Sequence, residues 1–224
     1  MQTLFLRHAT ALATGALLTL AAPALASESA EKSQDHGHSH GAESKEKSDI
    51  YKGYFEDSQI QARPLSDWQG DWQSVYPHLM DGSLDPVMDH KAAHGDKTAA
   101  EYRAYYETGY ATDVDRIEIT GDRLTFHKGD SSVSGTYADD GHEVLTYKKG
   151  NRGVRFIFQK TEGDEDAPDY IQFSDHRIAP AEADHYHLYW GDDRAALLQE
   201  VTNWPTYYPA ALTADQIVKE MTAH

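Results

Sequence analysis

The sequence predicts a mainly β fold, an antiparallel meander closed into a barrel with a few short helices attached. Three observations predict it. Between Ile117 and Trp190 the chain carries short period-two segments rich in β-branched and aromatic residues, separated by Gly, Asp and Asn. Helical patterns are confined to the stretches before and after that run. With 14 Tyr, 4 Trp and no Cys, bulky packing rather than disulfide bridging must hold the core.

The first elements lie outside the fold. Met1 to Ala26 has Arg7 in a short n-region, an apolar run (ATALATGALLTLAA), and Ala24-Leu25-Ala26 as a cleavage motif. It reads as a secretory signal cleaved after Ala26; the alternative, a membrane anchor, needs a longer apolar run. No apolar run after it is long enough to insert in a membrane. Ser27 to Asp49 has almost nothing apolar to bury and is expected as a disordered linker. Within it, His36-Gly-His38-Ser-His40 alternates His with small residues, a pattern that wraps zinc, nickel or copper loosely, the alternative being an incidental His-rich tail.

The folded domain is expected from Ile50 to His224. Trp72 to Tyr76 is read as a first strand. Gly82 and Pro86 keep any helix in Leu79–Ala93 short, and Lys97 to Tyr106 reads as a helix ended by Gly109. Strands follow at Ile117–Ile119 and Leu124–Phe126. Tyr137 precedes a turn at Asp139–Gly141, and Val144 to Tyr147 come after it. Val154, Phe156 and Phe158 alternate after the Lys149–Gly153 turn, and Tyr170–His176 and His185–Trp190 complete the series. Closure into a barrel would remove exposed edges. Asp193 to Val201 reads as a short helix halted by Pro205, and Thr213-Ala-Asp-Gln216 as a capping box opening a last amphipathic helix.

The formal charge of −17, one unit more negative once Arg7 is removed, repels nucleic acid and anionic lipid and favours cationic ligands only diffusely. There is no nucleophile elbow, phosphate loop, thiol or basic aromatic patch.

The chemistry concentrates in Asp175-His176-Arg177 and Asp184-His185-Tyr186-His187. On a strand, residues i and i+2 share a face with Cα atoms roughly 6.5 to 7 Å apart. Two imidazoles so placed converge on one ion at about 2.0 to 2.1 Å from each nitrogen. Tyr186, Leu188 and Trp190 make the opposite face apolar, so the His face is expected to be the interior or mouth of the barrel. A hairpin through Ala179–Asp184 would bring His176 beside the pair. Three imidazoles without a thiol suit Zn(II), with Ni(II), Cu(II) or Co(II) as substitutes. A fourth tetrahedral position stays open. In a catalyst it holds activated water, so a zinc-dependent hydrolase or hydratase is the rival reading, with His142, His127 and Glu182 as base candidates by type only. An organic-ligand carrier with incidental histidines is the third. His78, His90 and His94 are expected at the surface or helix ends.

From about Tyr51 to His224 the chain resembles the ZinT family of periplasmic zinc- and cadmium-binding proteins. The resemblance runs through Leu65-Ser-Asp-Trp68, Trp72-Gln-Ser-Val-Tyr-Pro77, Leu84-Asp-Pro-Val87, Gly109-Tyr-Ala-Thr-Asp113, Gly153-Val-Arg-Phe156, Tyr170-Ile-Gln-Phe-Ser-Asp-His176 and Asn203-Trp-Pro-Thr-Tyr-Tyr-Pro209. It implies a calycin- or lipocalin-like barrel, with Gly70-x-Trp72 as the glycine–tryptophan signature of a first lipocalin strand. It implies ligands at His176, His185 and His187, and a periplasmic role beside the solute-binding receptor of a zinc ABC importer, without enzymatic activity. It also implies metal contact by the His36–His40 stretch. The cysteine pair of some relatives aligns near Gly135 and Lys160, so that bridge is absent here.

Overall fold

Strands β1 (Gly70–Ser74), β2 (Arg116–Thr120), β3 (Arg123–Lys128), β4 (Ser131–Thr146), β5 (Arg152–Gly163), β6 (Tyr170–Ser174), β7 (Tyr186–Gly191) and β8 (Thr206–Pro209) pair in chain order, and β8 returns to β1 to close an antiparallel barrel. The structure is a computed structural model and describes residues 39–199 and 202–223. The expected barrel is what is found. Its helices are α1 (Ser39–Tyr51), α2 (Tyr76–Met80), α3 (Asp85–His94), α4 (Ala99–Tyr110) and α5 (Ala214–Thr222). None of the described helices is long and apolar enough to cross a membrane.

Period two divides the wall. Trp72, Ile117, Phe126, Phe156, Phe173, Tyr186, Leu188 and Tyr207 are buried in one cluster that fills the barrel. Trp68, in the 3-10 turn Leu65–Trp68, joins them and stacks on Phe173 with ring centroids 4.5 Å apart. Its carbonyl accepts from Trp72 Nε1 at 2.9 Å. A second cluster lies outside, where Leu79, Leu84, Val87, Met88, Tyr110 and Ile217 of the helices pack with Tyr208 of β8. Capping boxes start α4 (Thr98 with Glu101) and α5 (Thr213 with Gln216), as the latter motif predicts.

Several expectations are corrected. The first strand ends at Ser74, because Pro77 in the first turn of a helix favours α2 from Tyr76. Asp139–Gly141 does not reverse the chain: β4 continues through it with a register irregularity between Asp139 and His142, and Gly141 adopts a φ of +81°. A glycine in left-handed conformation serves a bulge as readily as a turn. Among the described residues of Asp193–Val201, a 3-10 turn at Ala196–Leu198 is all that forms, with the Asp193 carboxylate accepting from Ala195 and Ala196 N–H. Residues 39–49, expected as disordered linker, belong to α1. Its last turn is anchored by Ile50, packed on the barrel cluster, and by Tyr51. The signal sequence, the linker to residue 38, and with them His36 and His38, lie outside the described residues.

At the site of the missing bridge, the Tyr137 ring lies against Gly135 and its hydroxyl donates to the Pro168 carbonyl at 2.8 Å. Lys160 pairs instead with Asp169 at 3.0 Å.

Candidate metal centre

The β6–β7 hairpin is antiparallel, with Ser174 opposite His187, and its connection carries His176 and His185. Tyr186 and Leu188 fill the barrel, so alternation turns His187 to the outer face of the wall. Of the two expected places, interior or mouth, the interior does not hold for His187, while His176 and His185 lie in the connection at the strand ends. The helical layer covers part of the outer face, and there His185 and His187 are half-buried while His176 is exposed.

His176, two residues beyond β6, adopts a left-handed conformation (φ 63°), the only non-glycine with positive φ among the described residues. Such a residue is held against a cost of order 1–3 kcal/mol, and strain of this kind gathers at functional sites. The turn brings its ring to centroid distances of 6.0 Å from His185 and 5.7 Å from His187, which are themselves 6.0 Å apart. One ring nitrogen from each lies within 4.8 Å of the others. A tetrahedral ion at about 2.0–2.1 Å from each nitrogen asks for a modest further tightening.

Each imidazole is braced by a different neighbour. Tyr51 of α1 stacks on His176 at 4.5 Å, and Tyr208 of β8 stacks on His185 at 5.0 Å, 11° from parallel. His187 Nδ1 lies 2.8 Å from the Thr206 hydroxyl, which in turn donates to the Trp204 carbonyl at 2.9 Å. With its proton so committed, the hydroxyl accepts from His187 Nδ1–H and leaves Nε2 free to ligate. Burial is the main cause that pushes the His187 pKa well below its ordinary value, helped by the neighbouring charges of His176, His185 and Arg155. The ring is therefore neutral at pH 7, the state a metal needs. Cavities of about 470 and 300 Å³ both reach this cluster, and Trp204 borders each.

Among the described residues these three are the group placed to hold a metal. His40 falls in the first turn of α1. The base candidates stand elsewhere. His127 is engaged with Glu118 at 2.8 Å, His142 is exposed beside Phe156 on β4–β5, and Glu182 is exposed. Scattered His78 meets Gln73 at 2.9 Å, and His94 Nδ1 meets the His90 carbonyl at 2.8 Å. Sequence reasoning missed Thr206, Tyr208, Tyr51 and Arg155. The Thr-Tyr-Tyr alternation after Pro205 was the available signal for the first two.

Residues 46–224 match the family described as ZinT (YodA) periplasmic lipocalin-like zinc-recruitment. The chain belongs to the ZinT family. It is 60% identical over 176 residues to the probable metal-binding protein YrpE of Bacillus subtilis, covering 78% of this chain and 70% of YrpE. It is 50% identical over 177 residues to the zinc-binding lipoprotein AdcA of Streptococcus pneumoniae, covering 78% of this chain but only 35% of AdcA. The Zn(II)-bound ZinT-like domain of S. pneumoniae AdcA superposes with a TM-score of 0.75 at 50% identity, over 77% of this chain and 97% of that domain. This ZinT chain thus shares a barrel with a zinc-bound relative, and the hydrolase alternative gains no support from any of these likenesses.

Proposed function

We propose that this ZinT protein is an exported zinc-binding protein that captures Zn(II) on His176, His185 and His187. The observation that carries the reading is the three-imidazole triangle, with ligand nitrogens within 4.8 Å and His187 Nε2 left free by Thr206. Membership of a zinc-recruitment family supports the choice of metal, while three neutral nitrogens also accept Cd(II), Ni(II), Cu(II) or Co(II). The protein acts in the periplasm after cleavage behind Ala26, buffering zinc or passing it to the solute-binding receptor of a zinc ABC importer. His36, His38 and His40 serve as auxiliary capture groups on the leader side.

Calorimetric zinc titration tests it. The wild type is expected to show a high-affinity site that disappears in the His185→Ala/His187→Ala double variant and survives deletion of residues 35–41. Unchanged stoichiometry in the double variant overturns the assignment. Mass measurement of the exported protein checks the cleavage point.

A further inference from the structure

Arg155 stands one step beyond the last registered pair of β5 and β6, Phe156 with Phe173, and therefore opposite Ser174. Ser174 is opposite His187, and His187 is opposite Thr206. Arg155, Ser174, His187 and Thr206 thus form one row across four strands on the outer face.

Arg155 is 2% exposed, and its Nε and Nη1 have no hydrogen-bond partner. Among the described residues it forms no ion pair, and the facing Glu143 is taken by Arg194 at 3.0 Å. The Tyr189 ring lies 3.2 Å from its guanidinium carbon, and Tyr147 meets it from one side. Neither neutral group discharges a buried cation. Arg155, Ser174, His176 and His187 line the same cavity of about 470 Å³, which is far larger than a metal ion requires.

A guanidinium beside a dication is a repulsion that only an anion relieves. We propose that this cavity is an anion subsite, in which a small carboxylate turns one oxygen toward the fourth ligand position of the metal and accepts with the other from an unpaired Arg155 N–H. The planar, singly charged carboxylate suits a guanidinium that keeps N–H groups unpaired at Nε and Nη1. Ser174 lies between the two ends of such a bridge and supplies a hydroxyl donor. The protein then binds zinc and a carboxylate as a coupled pair, each strengthening the other. This rests on the three-histidine reading above.

The test uses the mature protein loaded with Co(II), whose visible bands report coordination, titrated with acetate against perchlorate at constant ionic strength. The wild type is expected to show a saturable spectral change and a zinc affinity about fivefold or more higher in acetate. Arg155→Met should lose both responses yet bind zinc in perchlorate at least as tightly as wild type, because a repelling charge is gone. Arg155→Lys should respond weakly, keeping the charge without the planar, fixed N–H donors. Wild-type bands indifferent to acetate overturn the proposal, as does an equal response in Arg155→Met or weaker zinc binding by that variant in perchlorate. If Arg155→Met does not fold, relaxation of ¹³C-acetate by Co(II) in the wild type decides: enhancement supports the bridge and its absence overturns it. Failure of the underlying site looks different, because Co(II) bands would then persist in His185→Ala/His187→Ala.

Discussion

His187 donates its Nδ1 proton to Thr206, 2.8 Å away, because the threonine hydroxyl is already spent as a donor to the Trp204 carbonyl. A tautomer is thereby set by a residue that never touches metal. Thr206→Val keeps the shape and removes the acceptor. Zinc affinity is expected to fall about 10-fold or more, with circular dichroism unchanged and Thr206→Ser restoring much of the loss. Undiminished affinity in the valine variant would show that the bond has no such role.

The depressed pKa of His187 has a stability consequence. Between that value and about 6.5, the unfolded chain binds a proton that the folded protein refuses. Its contribution is therefore complete above about pH 6.5 and lost as pH falls through the folded value. Urea midpoints of metal-free protein should drop between pH 7.5 and 5.5, and drop less in His187→Gln. Zinc affinity should weaken over the same acidic range as the imidazoles compete for protons.

Arg63 anchors the loop between His176 and His185 of the candidate metal site. It is 1% exposed, bonds Asp67 at 2.8 Å, Asp175 at 2.5 Å and the Ala181 carbonyl at 2.8 Å, and lies 4.2 Å over Trp68. Arg63→Met strands a buried Asp175 whose Oδ2 already lacks a partner. Denaturant unfolding should show a loss of about 3–5 kcal/mol. Zinc affinity should fall as well, since His176 and His185 flank that loop. A loss below 1 kcal/mol would contradict the argument.

Gly109 is fixed by contact rather than by dihedral. A methyl group there would stand 2.3 Å from the Trp204 ring, whose backbone N–H donates to the Gly109 carbonyl at 2.6 Å. Gly109→Ala is expected to cost about 1–3 kcal/mol. It should also shift tryptophan emission and disturb both cavities that Trp204 borders, and an unaltered melting temperature and spectrum would refute this.

Much of this was legible locally. His185 and His187 are readable as a pair from strand period, and His176 from the hairpin that follows a clear alternation. The face they occupy was not legible, because Tyr186 and Leu188 identify an apolar side without saying that helices cover the other one. β8 escaped notice because it is short and ends in Pro209, so it carries a weak strand signal. Arg155, between Val154 and Phe156, reads in sequence as a solvated outward charge. Only long-range packing buries it.

The join that closes the barrel is four residues long on the β8 side, and those residues also brace two of the three histidines through Thr206 and Tyr208. Occupancy and closure are therefore coupled. A ligand bound only by the closed form makes opening rarer in proportion to its concentration over its dissociation constant. Zinc held by the three histidines is expected to act as a latch on this seam, slowing amide hydrogen exchange in β1 and β8, although neither strand carries one of the three histidines.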